Sequence, residues 1–527
     1  FLRRVYIDTI GRVPNVMEAE RFFRDTHPEK RDRIIDTLLS HPDHAALWAT
    51  KMSDITGNDT LRLYPPAEKR SQMWHDWLRV RFEQNMPYDQ IVRGILVATS
   101  REGRSEKEWI KAAENNDTSN ISSFKSNYSN RETLDLFWKR KNLKKEQVGE
   151  RVAAAFLGIR LQCARCHKHP YDRWTQVDYR AFAGLFGQVK VHNGAQNKDL
   201  VEENRRRKRI KEKEKRLPQL REVVVDPKSP RLMPHPVTRK GVPPAPLGAE
   251  TLDGKGDYRR KLWTWMRDPE NPLFAHNMVN RIWKHYFGIG IVEPVDDLSD
   301  ANPPSHPHLL DSLARDFSSS GFDIRHIERR ILESRAYQFS STPNRANSED
   351  RKNFARSYPR NLMAEVAVDV IHSALGIKER WRADAPEGSR AIDVAPSIVR
   401  DGDLRHAFRV FGRPTRGPVC DCERTTDPAL PQTLHLMADA DVYNKIRNGR
   451  LRQYLSGSAL RRFQRGEMSD DEVTGIIRNL FLSTLTRYPD EREARVALDN
   501  VKQQGDGTGF TDIMWALVNT REFILNH

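Results

Sequence analysis

A mainly α-helical chain of two domains joined by an irregular segment is what the sequence predicts, on three observations. Apolar residues recur at helical spacing towards both ends. A central stretch loses that period and fills with charges, prolines and glycines. At 527 residues the chain is also too long for one ordinary domain. The expected division is an N-terminal helical domain at 1–190, an irregular linker with a basic stretch and a few short strands at 191–256, and a C-terminal helical domain at 257–527.

The elements follow in order. "HPEKRDRIIDTLLSHPDHAALWATKMSDIT" sets Ile34, Ile35, Leu38, Leu39, Leu47, Trp48 and Met52 on a helical stripe, broken at Pro42. "SQMWHDWLRVRFEQNMPYDQIVRGIL" repeats the pattern with Trp74, Trp77, Leu78, Phe82, Ile91 and Ile95. The polar run at 115–130 has no period and reads as a loop, after which helix is expected from about 132 through "EQVGERVAAAFLGIRLQ" into the cysteines. Ala153, Ala154, Ala155 and Gly158 leave room for another body to pack closely on that helix. Val223–Val225 is the best strand candidate of the central stretch. Beyond it, one helix should end before Pro269 and another at Gly288, and Ser469 with Glu472 has capping-box spacing.

No apolar run approaches the roughly 20 residues that cross a bilayer, so no transmembrane segment is expected. No basic-then-apolar leader opens the chain, and "FLRRVYIDTIGRVP" reads like the inside of a folded element, so something is expected to precede residue 1. Much of the net charge of +16 is local, in "RRRKRIKEKEKRLPQLR", residues 205–221. A solvated basic helix or linker accounts for that better than a phosphate-binding stripe. Nucleic acid is therefore not the expected partner, although an anionic polysaccharide would feel the same field.

The chemistry concentrates in "CARCHKHPYDRW", residues 163–174. C-x-x-C-H is the attachment pattern of haem c. Two thiols at that spacing reach the two vinyl groups of one porphyrin, and the following imidazole reaches the iron. Cys163 and Cys166 would form the thioethers and His167 the proximal bond. The rival is a zinc site completed by Cys420 and Cys422 of "PVCDCERTTDP". C-x-C is less usual in zinc ribbons, and the pairs lie far apart, so spacing favours haem over a zinc-stabilised, non-catalytic scaffold.

"AFLGIRLQCARCHKHPYDRWTQVDYRAFAGLF" resembles the cytochrome-associated segment of a large planctomycete family of paired, uncharacterised domains. "FLRRVYIDTIGRVP" is similar to the opening of that family's first domain. The run from Asn271 to Ser341 and "FGRPTRGPVCDCERTTDPALPQTLHLM" are similar to blocks of its second. The resemblance implies an exported, periplasmic or otherwise extracytoplasmic protein, often with a cytochrome domain upstream, in a polysaccharide-degrading setting; it brings no established activity. Export in turn favours haem, which is attached outside the cytoplasm.

His169, His435 and Met437 are the candidate sixth ligands of the iron, and an open sixth position would admit peroxide. A second cluster, "VEPVDDLSDANPPSHPHLLD", gathers Glu293, Asp296, Asp297, Asp300, His306 and His308 on a proline-stiffened loop. Its carboxylates could act as acid and base on a glycosidic bond, or bind calcium. The bland alternative has Ser305 capping the next helix and the aspartates capping others or pairing with Arg281. Glu423 beside the second cysteine pair is a further proton-relay candidate. The tryptophans read mostly as core. The expected function is thus an extracytoplasmic c-type haem protein performing electron transfer or peroxide-type chemistry. The alternative enzyme is a polysaccharide hydrolase using the second-domain carboxylates around a structural haem.

Overall fold

The computed structural model describes residues 1–118, 127–193, 197–212, 217–228, 232–253, 255–379, 381, 388–394, 402–414, 430–455 and 457–527. Helices dominate from Leu2–Ile10 to Arg521–Ile524, so the chain is mainly α. The strands among the described residues form two-stranded antiparallel pairs, the longest joining Val189–His192 to Glu222–Val225 with Val189 opposite Val225. The predicted strand at 223–225 lies in that pair.

Local chemistry sets the helix ends. Lys30–Leu39 stops before Pro42, which opens Pro42–Thr56 at the position where a missing N–H costs nothing. Tyr258–Met266 ends short of Pro269, and Pro272–Phe287 is closed by Gly288 at φ 82. Ser469 and Glu472 make the expected reciprocal cap at the head of Asp470–Leu485.

The approach to the cysteines departs from the expected single helix. It is broken into turns at Asn127–Asn130 and Asp135–Phe137, a helix Lys145–Val152, and a π-helical turn Ala153–Leu157. The buried Asp135 carboxylate causes the first break: it accepts from Ser100 Oγ at 2.7 Å and Tyr128 OH at 2.8 Å and pairs with Lys139 Nζ at 2.6 Å. Those partners lie on separate segments and draw the chain around a point. The polar run is also shorter as a loop than expected, because helix Glu106–Thr118 enters it; residues 119–126 lie outside the described ones.

The basic stretch is only partly solvated. Within helix Lys198–Arg209, Arg205, Lys208 and Arg209 are exposed, but Arg207 is wholly buried. Its guanidinium meets Asp117 at 2.5 Å, Glu203 at 2.6 Å and the Pro218 carbonyl at 2.7 Å, which fastens this helix to Glu106–Thr118.

Among the described residues two large hydrophobic cores stand out, and they divide later in the chain than the linker does. The first runs from Leu2 to Phe354, adding Leu482. The second gathers Ala364 to Phe523, adding Ile7, Val13, Ala46 and Leu47 from the N-terminal helices. Helices Tyr258–Met266, Pro272–Phe287 and Ile324–Glu333 therefore pack with the first half of the chain, where an apolar stripe alone could not say which partner it would find.

Candidate functional site

The C-x-x-C-H segment is prepared by what lies beneath it. The π-helical turn Ala153–Leu157 is fully buried and ends at Gly158, whose φ of 66 is ordinary only for glycine. A π turn leaves backbone carbonyls without their usual i+4 partners. The second half of the chain supplies them: Asn277 Nδ2 donates to the Ala155 carbonyl at 2.9 Å and Arg281 Nη2 to the Ala154 carbonyl at 3.1 Å. Leu298 N donates to the Gly158 carbonyl at 2.7 Å. A Cβ on Gly158 would stand 2.9 Å from the Leu298 side chain, so the close approach expected of these small residues is real. Arg160 completes the grip with two bonds to the buried Asp296, at 2.6 and 3.1 Å.

The motif itself sits on the surface. Gln162–Arg165 forms a 3₁₀ turn in which Ala164 alone points inward; Cys163, Cys166 and His167 are exposed, and neither cysteine is in a disulfide. Arg165 lies against the Cys166 sulfur and Glu150, and both contacts hold its pKa up. Gln176 Nε2 donates to the Cys166 carbonyl. His167 Nδ1 lies 2.7 Å from the Lys168 carbonyl. A carbonyl can only accept, so Nδ1 carries the proton and Nε2 keeps the lone pair; such a bond fixes the tautomer of a metal-ligating histidine.

The other predicted residues fall in three groups. His169 is buried: its amide donates to the Trp174 carbonyl at 2.8 Å and its Nδ1 accepts from the Tyr171 amide at 3.3 Å, so the ring belongs to the turn. His435 and Met437 lie on helix Leu430–Ala438, which is tied to the second core through Leu436. There His435 meets Asp439 at 3.0 Å and the ring of His406 at 5.7 Å, while Met437 is half exposed. Cys420, Cys422 and Glu423 lie outside the described residues.

Within the carboxylate cluster the fold ties up Asp296, and it brings the cluster beside the motif in space. Asp296 pairs with Arg160 rather than Arg281 and is wholly buried, so it is a clamp and not an acid or base open to substrate. Asp297 closes a backbone turn, its amide donating to the Pro294 carbonyl at 3.0 Å. His306, not Ser305, is the N-cap of Pro307–Ser319; its ring packs on Phe354 at 5.6 Å, and Ser305 Oγ instead donates to the Ile291 carbonyl at 3.0 Å. Asp300 approaches Asp172 of the cysteine segment, whose pKa burial raises first and that neighbouring charge raises further. The two sequence clusters are thus neighbours, which spacing alone could not reveal.

Sequence reasoning missed a cavity of about 370 Å³ lined by Asp8, Trp48, Lys51, His285, Glu293 and Arg360. Burial keeps His285 neutral, with its pKa well below the usual value, and its Nε2 donates to the Asp8 carbonyl at 2.7 Å. Trp48 and Glu293 stand out locally, but their meeting with Asp8, Lys51, His285 and Arg360 does not, since these residues come from distant parts of the chain.

Two family models match the chain. Residues 1–191 match PSCyt2, protein of unknown function (DUF1549), and residues 258–501 match PSD1, protein of unknown function (DUF1553). No curated protein and no solved structure matches it.

Proposed function

We propose that this chain, which carries these two domains of unknown function in tandem, is an extracytoplasmic c-type haem protein with a redox role. The observation that carries the reading is the His167 tautomer. A ring whose Nδ1 is committed to the Lys168 carbonyl offers Nε2 to a metal, beside two exposed thiols on the same turn. Cys163 and Cys166 would hold the porphyrin and His167 its iron. The haem, once attached, supplies one-electron chemistry. The cytochrome abbreviation in the name PSCyt2 and the sequence resemblance to a cytochrome-associated family support the same reading.

The chain's own residues fix and present the site. Arg281, Asn277 and Leu298 hold the turn beneath it, Arg160 and Asp296 lock the strap leading to it, and Arg165 lies beside one sulfur. An attachment site this exposed suits transfer to a redox partner or to a cytochrome domain of the same protein. Hydrolysis of polysaccharide by the second-domain carboxylates is the weaker reading, because Asp296 is occupied by Arg160.

Expression of the chain in a periplasm equipped with haem-c maturation enzymes tests the proposal. The expected product keeps haem through denaturing electrophoresis and gives a pyridine haemochrome spectrum of one haem per chain. Cys163→Ser with Cys166→Ser should abolish both. A folded chain without covalent haem, matured beside a control cytochrome that acquires it, overturns the reading.

A further inference from the structure

We infer that His406, His435 and Asp439 form a second metal site, separate from the C-x-x-C-H turn, that binds a divalent transition cation of the zinc class. Among the described residues, these side chains form a group of His, Cys, Asp or Glu whose donor atoms lie within 4.8 Å of one another. His435 Nδ1 is 3.0 Å from Asp439 Oδ2, and the two imidazole rings stand 5.7 Å apart at 60°. Donors bound about 2.0 Å from a tetrahedral zinc stand about 3.3 Å from one another, so a small rotation of the exposed His406 ring closes the set.

The frame around the donors is built from the second core. Helix Gly402–Val410 carries His406 and is held by the buried Ala407 and Phe408, the two residues that follow it. Phe411 presses edge-on to the His435 ring at 5.9 Å and 85°. Asp439 sits at the break between helices Leu430–Ala438 and Ala440–Asn448, its amide donating to the His435 carbonyl at 3.1 Å, so backbone geometry sets its position against His435.

Two imidazole nitrogens are borderline donors, and the one carboxylate oxygen is a hard donor that zinc also accepts. Calcium and magnesium, which prefer all-oxygen shells, are poorly served by them, whereas zinc and its neighbours are well served. Three donors among the described residues leave one tetrahedral position for water, the pattern of catalytic zinc sites and not of closed structural ones. The exposed side at His406 is where that water, and any ligand replacing it, would enter.

Full-length protein stripped with a chelator is titrated with Zn²⁺ and, for its spectrum, with Co²⁺. The expected result is one tight equivalent whose Co²⁺ spectrum lacks a thiolate charge-transfer band. It should persist when Cys163, Cys166, Cys420 and Cys422 are all changed to serine. His406→Ala and Asp439→Asn should each weaken it at least about tenfold. His406 is exposed, so its variant folds even if His435→Ala does not. Absence of a tight equivalent, or one untouched by His406→Ala, overturns the inference. One that vanishes with the cysteines assigns the metal to sulfur and overturns it equally. Neither result bears on covalent haem, which the haemochrome spectrum reads independently.

Discussion

The seam beneath the cysteine turn and the seam around Arg390 are both buried, both polar, and both join distant parts of the chain. They differ in how charge is matched. Under the cysteine turn, Asp296 faces Arg160, and Arg281 and Asn277 face backbone carbonyls that need donors. Around Arg390, carboxylates crowd the cations: Asp43 lies 2.6 Å and Asp369 3.3 Å from its guanidinium, while Asp393 pairs with Arg79 at 2.7 Å. Asp76 joins them from helix Ala67–Glu83, its pKa raised well above the usual range, first by burial and also by Asp393. A seam with surplus carboxylates titrates. The chain thus places its charge-matched joint under the candidate chemistry and its titrating joint on the edge of the second core.

The sharpest way to break this contrast is Asp296→Ala. Removing one partner of a buried pair costs about 3 kcal/mol, reduced from the full penalty because Arg160 keeps some contact with water. Urea unfolding should show that loss. A loss under about 1 kcal/mol would mean the clamp is ornamental. Gly158→Ala follows at about 2 kcal/mol, combining the left-handed backbone with a Cβ pressed on Leu298. Both variants should also lower the yield of haem attachment, since each loosens the base of the turn.

Asp369→Asn probes the other seam and should act through pH. Burial is the chief cause that pushes Asp369 up to about 7, against 3.8 for an ordinary aspartate. The folded chain therefore keeps a proton that the unfolded chain releases. Stability from this group is full below about pH 4 and is lost as pH rises to about 7. Relative to Asp369→Asn, the native chain should lose on the order of 3–4 kcal/mol between pH 4 and pH 7, then run parallel to the variant. A flat difference curve would show that Arg390 answers Asp369 fully, and the two seams would then be alike.

These contrasts also explain what the sequence could show. Helix class and ends were legible because their causes are local: Pro42 and Gly288 act on their own backbone, and Ser469 meets Glu472 one turn away. The C-x-x-C-H motif was legible for the same reason. The clamp was not. Asp296 and Arg160 stood apart in the reading, and only the packing of Pro272–Phe287 into the first core brings their segments together. The division of the cores near residue 360 was hidden likewise, because composition marks a linker at 191–256 while burial is decided by which apolar faces meet. His406 carries no local signal at all; its partner His435 stands out in the sequence only as a candidate ligand of the haem iron, and only the fold sets the two rings together.

The smallest expected change in stability belongs to the residues with the most chemistry. Cys163 and Cys166 are exposed, are in no disulfide, and cap no core. Serine in both places should shift unfolding by no more than about 0.5 kcal/mol, as for surface substitutions generally. The same change should remove covalent haem entirely. A fall of about 2 kcal/mol or more in the haem-free chain would show that the thiols pack against the fold, and the separation between a rigid base and an open tip would be lost. With the haem attached, the comparison should reverse. The matured chain should unfold at higher urea than its serine variant, because a porphyrin bound to the folded turn stabilises the native state and has less to grip in the unfolded one. That reversal ties the thiols to function without assigning them any part in holding the fold.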